Sequence, residues 1–102
     1  MVFLALEEDL PGTDAGAFAP HLEAEAARVW TLQQQGVLRQ IWFRQDRSAA
    51  VLLLECPDRQ TAEEALASLP LVRQGLIRFD LIPLSPYPGL ARLFRKDLPL
   101  DS

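Results

Sequence analysis

A chain of 102 residues, 49% apolar and 24% charged, is long enough for one hydrophobic core and too short for two domains. Its 10 basic and 14 acidic residues give a net charge of −4 and form no basic run, which argues against the basic surface that nucleic-acid binding requires. One cysteine excludes an internal disulfide, one histidine leaves a zinc site short of its usual ligands, and no apolar stretch reaches the roughly 20 residues of a membrane span.

The first residues of the chain predict its location. They carry no basic leader and run directly into Glu7, Glu8 and Asp9, so a secretory segment is not expected. We therefore expect a cytoplasmic protein that has neither a membrane nor a nucleic acid as its partner.

The first half of the chain predicts a strand followed by a long helix. Residues 2–6 form an apolar run that ends in acids and a Pro-Gly turn, which is typical of a buried strand. Asp14 is a suitable N-cap, and apolar residues recur at helical spacing from Phe18 to a stop at Gly36. Pro20 fits only the first turn of a helix, so regular helix is expected from about that residue.

The middle of the chain predicts a β-hairpin. Residues 37–45 alternate between two faces and place Leu38 on the same face as Trp42. Residues 49–56 form a continuous apolar run, and residues 46–48 form a short turn between the two segments. Two strands joined in this way pair antiparallel.

A second helix and a fourth strand follow. Asp58 or Thr61 can cap a helix with apolar residues on one face, and Pro70 is expected to end it. Residues 76–84 then alternate between apolar and polar side chains, which is typical of a strand with one buried face.

This order of elements predicts the fold class. The order β-α-β-β-α-β is that of a ferredoxin-like α+β plait, in which both helices cover one face of a four-stranded antiparallel sheet. We expect the plait to span residues 1–84. In the C-terminal tail, residues 85–102, the spacing of Leu90, Leu93 and Phe94 predicts a short amphipathic helix that docks on a neighbouring subunit.

One face of such a sheet, here called the open face, carries no helices. We expect the first and fourth strands at the sheet edges and a mixture of apolar and charged side chains on the open face: Phe3, Ala5, Glu7, Gln40, Trp42, Arg44, Val51, Leu53, Glu55, Arg78 and Asp80. Packing against the same face of a second copy would form a homodimer or a larger homo-oligomer, with the charges at its rim or in a pocket.

Two carboxylates on the predicted open face are candidate catalytic groups. Burial beside apolar side chains raises the pKa of a carboxyl, which would suit Asp80 or Glu7 to general acid–base catalysis. Arg78 or Arg44 would then hold an anionic substrate. The same residues would also serve as salt bridges between subunits, which is the commoner use of such pairs.

Other side chains are candidates for substrate contact or proton transfer. Trp42 and Phe3 would wall a pocket for a flat unsaturated ring, or would fill the dimer core, and Glu55 lies on the same predicted face. An imidazole is the side chain best suited to take up and release a proton at neutral pH, which makes His21 the alternative base, although its place in the first helical turn is more typical of a surface residue. Cys56 is expected to be a small buried hydrophobe.

Four short segments carry a family resemblance. Leu-Gln-Gln-Gln-Gly at 32–36, Ile-Trp at 41–42, Ser-Leu-Pro-Leu at 68–71 and Ile-Pro-Leu at 82–84 resemble, in this order and spacing, the muconolactone Δ-isomerase family. The resemblance runs over most of residues 2–88. It implies a dimeric α+β barrel that assembles into larger rings and moves a double bond in an unsaturated lactone by shuttling a proton, without metal or organic cofactor, in a pocket at the sheet face between subunits.

The chain also departs from the family pattern. Residues that in the family are polar and suited to a lactone carboxylate are replaced here by Ala5, Gln40, Ser48 and Ala50. The leading hypothesis is a cofactor-free isomerase that acts by proton transfer on a small unsaturated lactone or carboxylic acid. The alternatives are a non-catalytic small-molecule binding or assembly module and a cofactorless monooxygenase of the dimeric barrel type.

Overall fold

The computed structural model describes residues 1–94. The strands are β1 (Val2–Asp9), β2 (Leu38–Phe43), β3 (Ala50–Glu55) and β4 (Ile77–Leu84). The helices are α1 (Ala15–Phe18), α2 (Leu22–Gln34), α3 (Arg59–Ala67) and α4 (Pro70–Arg73). Short 3-10 segments occupy Ala19–His21 and Pro88–Phe94.

The four strands form one antiparallel sheet in the order β2-β3-β1-β4, which confirms the ferredoxin-like α+β fold. The expected position of the first strand is wrong, because β1 lies inside the sheet between β3 and β4. The edges are therefore β2 and β4. Two interleaved right-handed β-α-β units place the strand that begins each unit in the interior, which is why β1 and β3 are central.

The predicted helix caps are present. Asp14 accepts a hydrogen bond from the N–H of Ala17 at 3.0 Å, and Asp58 accepts one from the N–H of Thr61 at 2.8 Å. Each carboxylate satisfies a backbone donor that the first helical turn leaves unpaired.

Proline divides the helical layer more finely than the sequence predicts. The 3-10 segment that contains Pro20 separates α1 from α2, since proline lacks the N–H that would continue the helix. The second predicted helix ends at Ala67 rather than at Pro70. Pro70 instead begins α4, because its fixed φ suits the first helical position.

Glycines end the helices that lead into β2 and β4. Gly36 has φ +76°. Its N–H donates to the carbonyl of Gln33 at 3.1 Å, and the N–H of Val37 donates to the carbonyl of Leu32 at 3.1 Å. The same arrangement recurs at Gly75, which has φ +72°. These are Schellman motifs, in which a residue with positive φ turns the chain sharply into the following strand.

β1 directs Phe3, Ala5 and Glu7 towards the helices. Phe3 and Ala5 are 0% exposed and lie in the core, so their predicted place on the open face is wrong, as is that of Glu7. The reason is that residues 2–6 are apolar on both faces, so alternation is unreadable there. The face follows instead from the register, in which Phe3 lies opposite Leu54 and Ala5 opposite Leu52.

A β-bulge reverses the expected face of one residue in β2. Leu38 pairs with Leu54 and Gln40 with Leu53, so Arg39 is an extra residue in the ladder. Leu38 consequently points to the helix side of the sheet and is only 2% exposed. Strict alternation predicts the open face for it.

The open face has no helix over it. The register places on it Val2, Leu4, Leu6, Glu8, Gln40, Trp42, Val51, Leu53, Glu55, Arg78, Asp80, Ile82 and Leu84. Trp42 is 63% exposed and Leu84 is 41% exposed. A contiguous apolar surface of this kind is typical of a protein–protein interface.

Beyond β4 the described chain forms the 3-10 segment instead of the regular amphipathic helix that the spacing predicts. Its large apolar side chains are exposed, by 58% at Leu90, 54% at Leu93 and 70% at Phe94. The part of the predicted tail that follows residue 94 lies outside the described residues. None of the helices within residues 1–94 has the length and apolar character that crossing a bilayer requires.

Candidate functional site

A cavity of about 390 Å³ lies between α2 and the helix-facing side of the sheet. All four strands contribute to it, and α2 with the start of α4 forms the opposite wall. Its lining is apolar except for three side chains. The lining residues are Glu7, Leu22, Glu25, Ala26, Val29, Trp30, Gln33, Ile41, Phe43, Ala50, Leu52, Leu69, Leu71 and Phe79.

Glu7 enters this cavity from the interior strand β1. Its Oε1 accepts a hydrogen bond from the N–H of Ala50 at 3.0 Å, just beyond the last β1–β3 pair. Burial raises the pKa of Glu7 above its ordinary value of 4.5, and the carboxyls of Asp9 and Glu25 raise it further, against the opposing effect of the Ala50 hydrogen bond. Glu7 therefore holds a proton more readily than an exposed glutamate does.

Glu25 enters the cavity from α2. Its Oε1 accepts the N–H of Leu71 at 2.9 Å, and Leu71 is the second residue of α4. Glu25 thus supplies an acceptor to the N-terminus of another helix and ties α2 to α4. Burial raises the pKa of Glu25, and the hydrogen bond from Leu71 only partly offsets this.

Aromatic side chains form much of the remaining wall. Trp30 and Phe43 line the cavity although they are 62% and 73% exposed, so both stand at its mouth. Phe79 lines it from β4 and lies opposite Glu7 in the β1–β4 register. Flat apolar walls with few polar groups are typical of sites for small unsaturated rings.

Glu7 also borders a second, polar cleft of about 260 Å³ on the side of the β2–β3 turn. This cleft is lined by Glu8, Asp9 and the turn residues 47–49 as well. Arg47 forms an ion pair with Glu8 there at 3.3 Å. The carboxyl of Glu7 therefore lies between an apolar cavity and a cleft that opens to water.

The arrangement suits proton transfer to and from carbon. A carboxyl in an apolar cavity, with its pKa raised by burial, can accept a proton from a substrate and return it. Glu7 meets this description, and a hydrogen bond to the sheet fixes its position.

Asp80 and Arg78 lie elsewhere. Both are on the open face at the edge strand β4, where they form an ion pair with each other. The expected pairing of Glu7 with Asp80 does not occur, because the β1 neighbour of Asp80 is Leu6 and Glu7 points to the opposite side of the sheet. These two charged residues also border a separate groove of about 490 Å³ along α3.

The other predicted site residues are dispersed. Trp42 lies on the open face and donates its indole N–H to Gln40 at 3.3 Å, and Glu55 lies at the end of β3 on the same face. Arg44 follows β2 and pairs with Asp46. His21 ends the 3-10 segment before α2 and does not line the cavity, while Phe3 is in the core.

Cys56 is buried, as predicted, and burial raises the pKa of its thiol. Such a thiol stays protonated and is a poor nucleophile. Within the described part of the chain, no group of three or more His, Cys, Asp and Glu side chains is placed to hold a metal ion.

Sequence reasoning missed Glu25, Trp30 and Gln33, which the structure brings to the cavity with Glu7. The sequence does contain one signal that points to Glu25. Glu25 falls three residues after Leu22 on the stripe of α2 that faces the sheet, a position where an unpaired charge is costly. A carboxylate on an apolar helical stripe indicates either a partner in another element or a functional pocket.

We expect Glu25→Gln to make stability less dependent on pH. Because the folded state raises the pKa of Glu25, the stabilising contribution of this group is fully present below its unfolded value of 4.5 and is lost as the pH rises through the folded pKa. Glutamine keeps an acceptor for the Leu71 N–H without the charge. Thermal unfolding should be measured for both proteins between about pH 4 and 8. The melting temperature of Glu25→Gln minus that of the parent should increase as the pH rises.

Glu23→Gln makes the same change on the exposed side of α2 and is the control for this experiment. A Glu25→Gln difference that stays constant across the pH range, or that falls with rising pH, would contradict the expectation.

The fold and the cavity together define a ferredoxin-like α+β protein with a ligand-sized cavity between its helices and its sheet. Residues 4–89 match the family described as muconolactone delta-isomerase, and the chain belongs to this family. No curated protein sequence matches it.

A solved structure with the same fold is 5-chloro-2-hydroxyhydroquinone dehydrochlorinase from Burkholderia phenoliruptrix AC1100, in complex with 2,5-dihydroxybenzoquinone. It matches with a TM-score of 0.70 over 87% of this chain and 98% of that chain, at 15% sequence identity. At this identity the likeness supports the shared fold alone.

Proposed function

We propose that the protein is a cofactor-free isomerase that shifts a double bond in a small unsaturated lactone or a related carbonyl compound by proton transfer. The observation that carries the proposal is the position of Glu7, a half-buried carboxyl with a raised pKa in a cavity with aromatic walls. Membership of the muconolactone delta-isomerase family supports it.

The proposed step uses Glu7 as the proton shuttle. Its carboxylate removes a proton from an allylic carbon of the substrate, and the electron pair of the broken C–H bond delocalises into the carbonyl as a dienolate. The carboxylic acid then returns the proton to the other end of the three-carbon unit, so the double bond moves and nothing is gained or lost. The N–H of Ala50 holds the carboxyl in place through both transfers.

An assay of the parent protein tests this directly. Muconolactone and simple unsaturated lactones should be isomerised, as followed by ultraviolet absorbance, and a chelator should not change the rate. Absence of turnover for all of them, in a sample that is folded, would overturn the isomerase proposal.

A non-catalytic binding module is the second candidate. Glu7 and Glu25 each accept a backbone N–H, which is also what carboxylates with a purely structural role do. Tight binding of a lactone without any turnover would favour this candidate.

The open face supports a homodimer. Leu4, Leu6, Val51 and Leu53 form an apolar strip across β1 and β3, and Trp42 extends it to the edge strand β2. Covering this strip with the same face of a second copy removes it from water on both sheets, and the charges of β4 would lie towards the rim.

We also propose that the C-terminal segment docks on a neighbouring subunit through Leu90, Leu93 and Phe94. Truncation after Leu84 is expected to lower the oligomer mass in light scattering, because these side chains are mostly exposed on their own subunit. Leu93→Ser with Phe94→Ser in the full chain separates apolar contact from chain length. An unchanged mass in both variants would contradict docking.

A further inference from the structure

We propose that the cavity selects substrates that carry no negative charge near the reacting carbon, such as neutral unsaturated lactones or enones, and discriminates against carboxylates. This inference rests on the proposed function of the same cavity. It concerns the substrate class and not the reaction.

The charges on the cavity wall carry the inference. Among its lining residues the ionisable ones are Glu7 and Glu25, and within the described chain that lining includes no Lys, Arg or His. Both carboxylates are held by backbone N–H groups, at 3.0 Å and 2.9 Å, so neither is free to turn away from a ligand. The lining therefore offers no positive charge to pair with an anionic substrate, and each of its two carboxyls adds a negative charge when it is ionised.

Nearby arginines are directed elsewhere. Arg28 of α2 donates to the hydroxyl of Ser68 at 2.8 Å, and Arg47 pairs with Glu8 beside the polar cleft. Neither is among the residues that line the cavity. The anion-binding role that the sequence suggests for Arg44 and Arg78 would act outside this cavity.

A further negative charge on the substrate would be disfavoured here. Like charges repel more beside apolar walls than in bulk water, because the walls displace part of the solvent that would screen them. A neutral lactone avoids this repulsion, and its carbonyl oxygen can still accept a hydrogen bond. The side-chain amide of Gln33 and the indole N–H of Trp30 are donors on the wall.

Muconolactone and its methyl ester test the proposal, since they share a ring and differ in charge. We expect kcat/KM for the ester to exceed that for the acid by at least about tenfold, from the repulsion of like charges at short range. Glu25→Gln should shift this ratio several-fold towards the acid, because one of the two repelling charges is removed.

The outcomes separate the two proposals. A preference for the acid would overturn the inference while leaving the isomerase proposal intact. If neither compound is turned over, the isomerase proposal fails, and calorimetric titration with the saturated lactone acid and its methyl ester still decides the charge preference. Equal or tighter binding of the acid in that titration would overturn the inference.

Discussion

Glu7→Gln is expected to lower kcat for double-bond isomerisation by at least about a hundredfold, since general acid–base catalysis contributes about 10²–10⁴-fold and an amide cannot shuttle a proton. The glutamine oxygen can still accept the N–H of Ala50, so the fold should be retained. Steady-state rates and thermal unfolding of the same samples separate the loss of chemistry from the loss of structure.

The pH dependence of the parent gives an independent test. The base is the ionised form of Glu7, so the rate should rise with pH through the raised pKa of this carboxyl and level off above it. Glu7→Gln should remove this rise from any residual activity. A parent rate that falls over the same range would contradict the assignment.

Two further variants complete the experiment on Glu7. Glu64→Gln makes the same change at an exposed position of α3 and should leave the rate unchanged. Asp80→Asn tests the other predicted carboxylate, which lies on the open face in an ion pair with Arg78. Full activity in Glu7→Gln with loss in Asp80→Asn would move the proton shuttle to that face, and full activity in both would direct attention to His21.

Trp42→Arg is expected to weaken the homodimer by at least about a hundredfold. Burial of a large apolar side chain contributes about 1.5–3 kcal/mol, a twofold interface contains it twice, and every 1.4 kcal/mol is about tenfold in Kd. The substituted arginine would also bring a charge into the apolar interface. Sedimentation across a concentration series measures the change in Kd.

Trp30→Arg is the matched control for the dimer. Trp30 is 62% exposed and Trp42 is 63% exposed, so the two substitutions remove the same side chain from equally exposed positions. Trp30 belongs to α2, however, and only Trp42 belongs to the open face. Equal dissociation by both variants, or a parent that sediments as a folded monomer, would contradict the proposed interface.

The order and type of the main elements were predictable because local signals determine them. Asp14 and Asp58 mark helix starts, and Gly36 marks the end of α2. Alternation in residues 77–81 separates Phe79 from Asp80 correctly, since the polar side chains of that stretch, Arg78 and Asp80, fall on one face and the apolar ones on the other. With four strands and two main helices in this order, handedness and connectivity leave few topologies other than the ferredoxin-like plait.

The face of β1 was not predictable in the same way. Its first residues are apolar on both sides, and the direction of Glu7 depends on the register with β3 and β4, which no local signal specifies. The bulge at Arg39 is a second case, since one extra residue in β2 reverses the face of Leu38, which precedes it in the strand.

The candidate site was only partly predictable for the same reason. Glu7 was identified as a possible acid–base residue from its type and its predicted place among apolar side chains of the open face, but that face is the wrong one. Glu25, Trp30 and Gln33 come from a helix that is distant in sequence and reach Glu7 only through tertiary packing. Residues brought together in this way have no shared sequence pattern.

The position of Glu7 between the apolar cavity and the polar cleft bears on the fate of the transferred hydrogen. A proton taken from the substrate rests on a carboxyl whose other side borders Asp9 and water-facing groups, so it has a route to bulk solvent during each turnover. Return of this proton to the substrate then competes with its exchange for a proton of the solvent. In heavy water the product would carry a mixture of the original hydrogen and solvent deuterium, in a proportion set by the relative rates of the two paths.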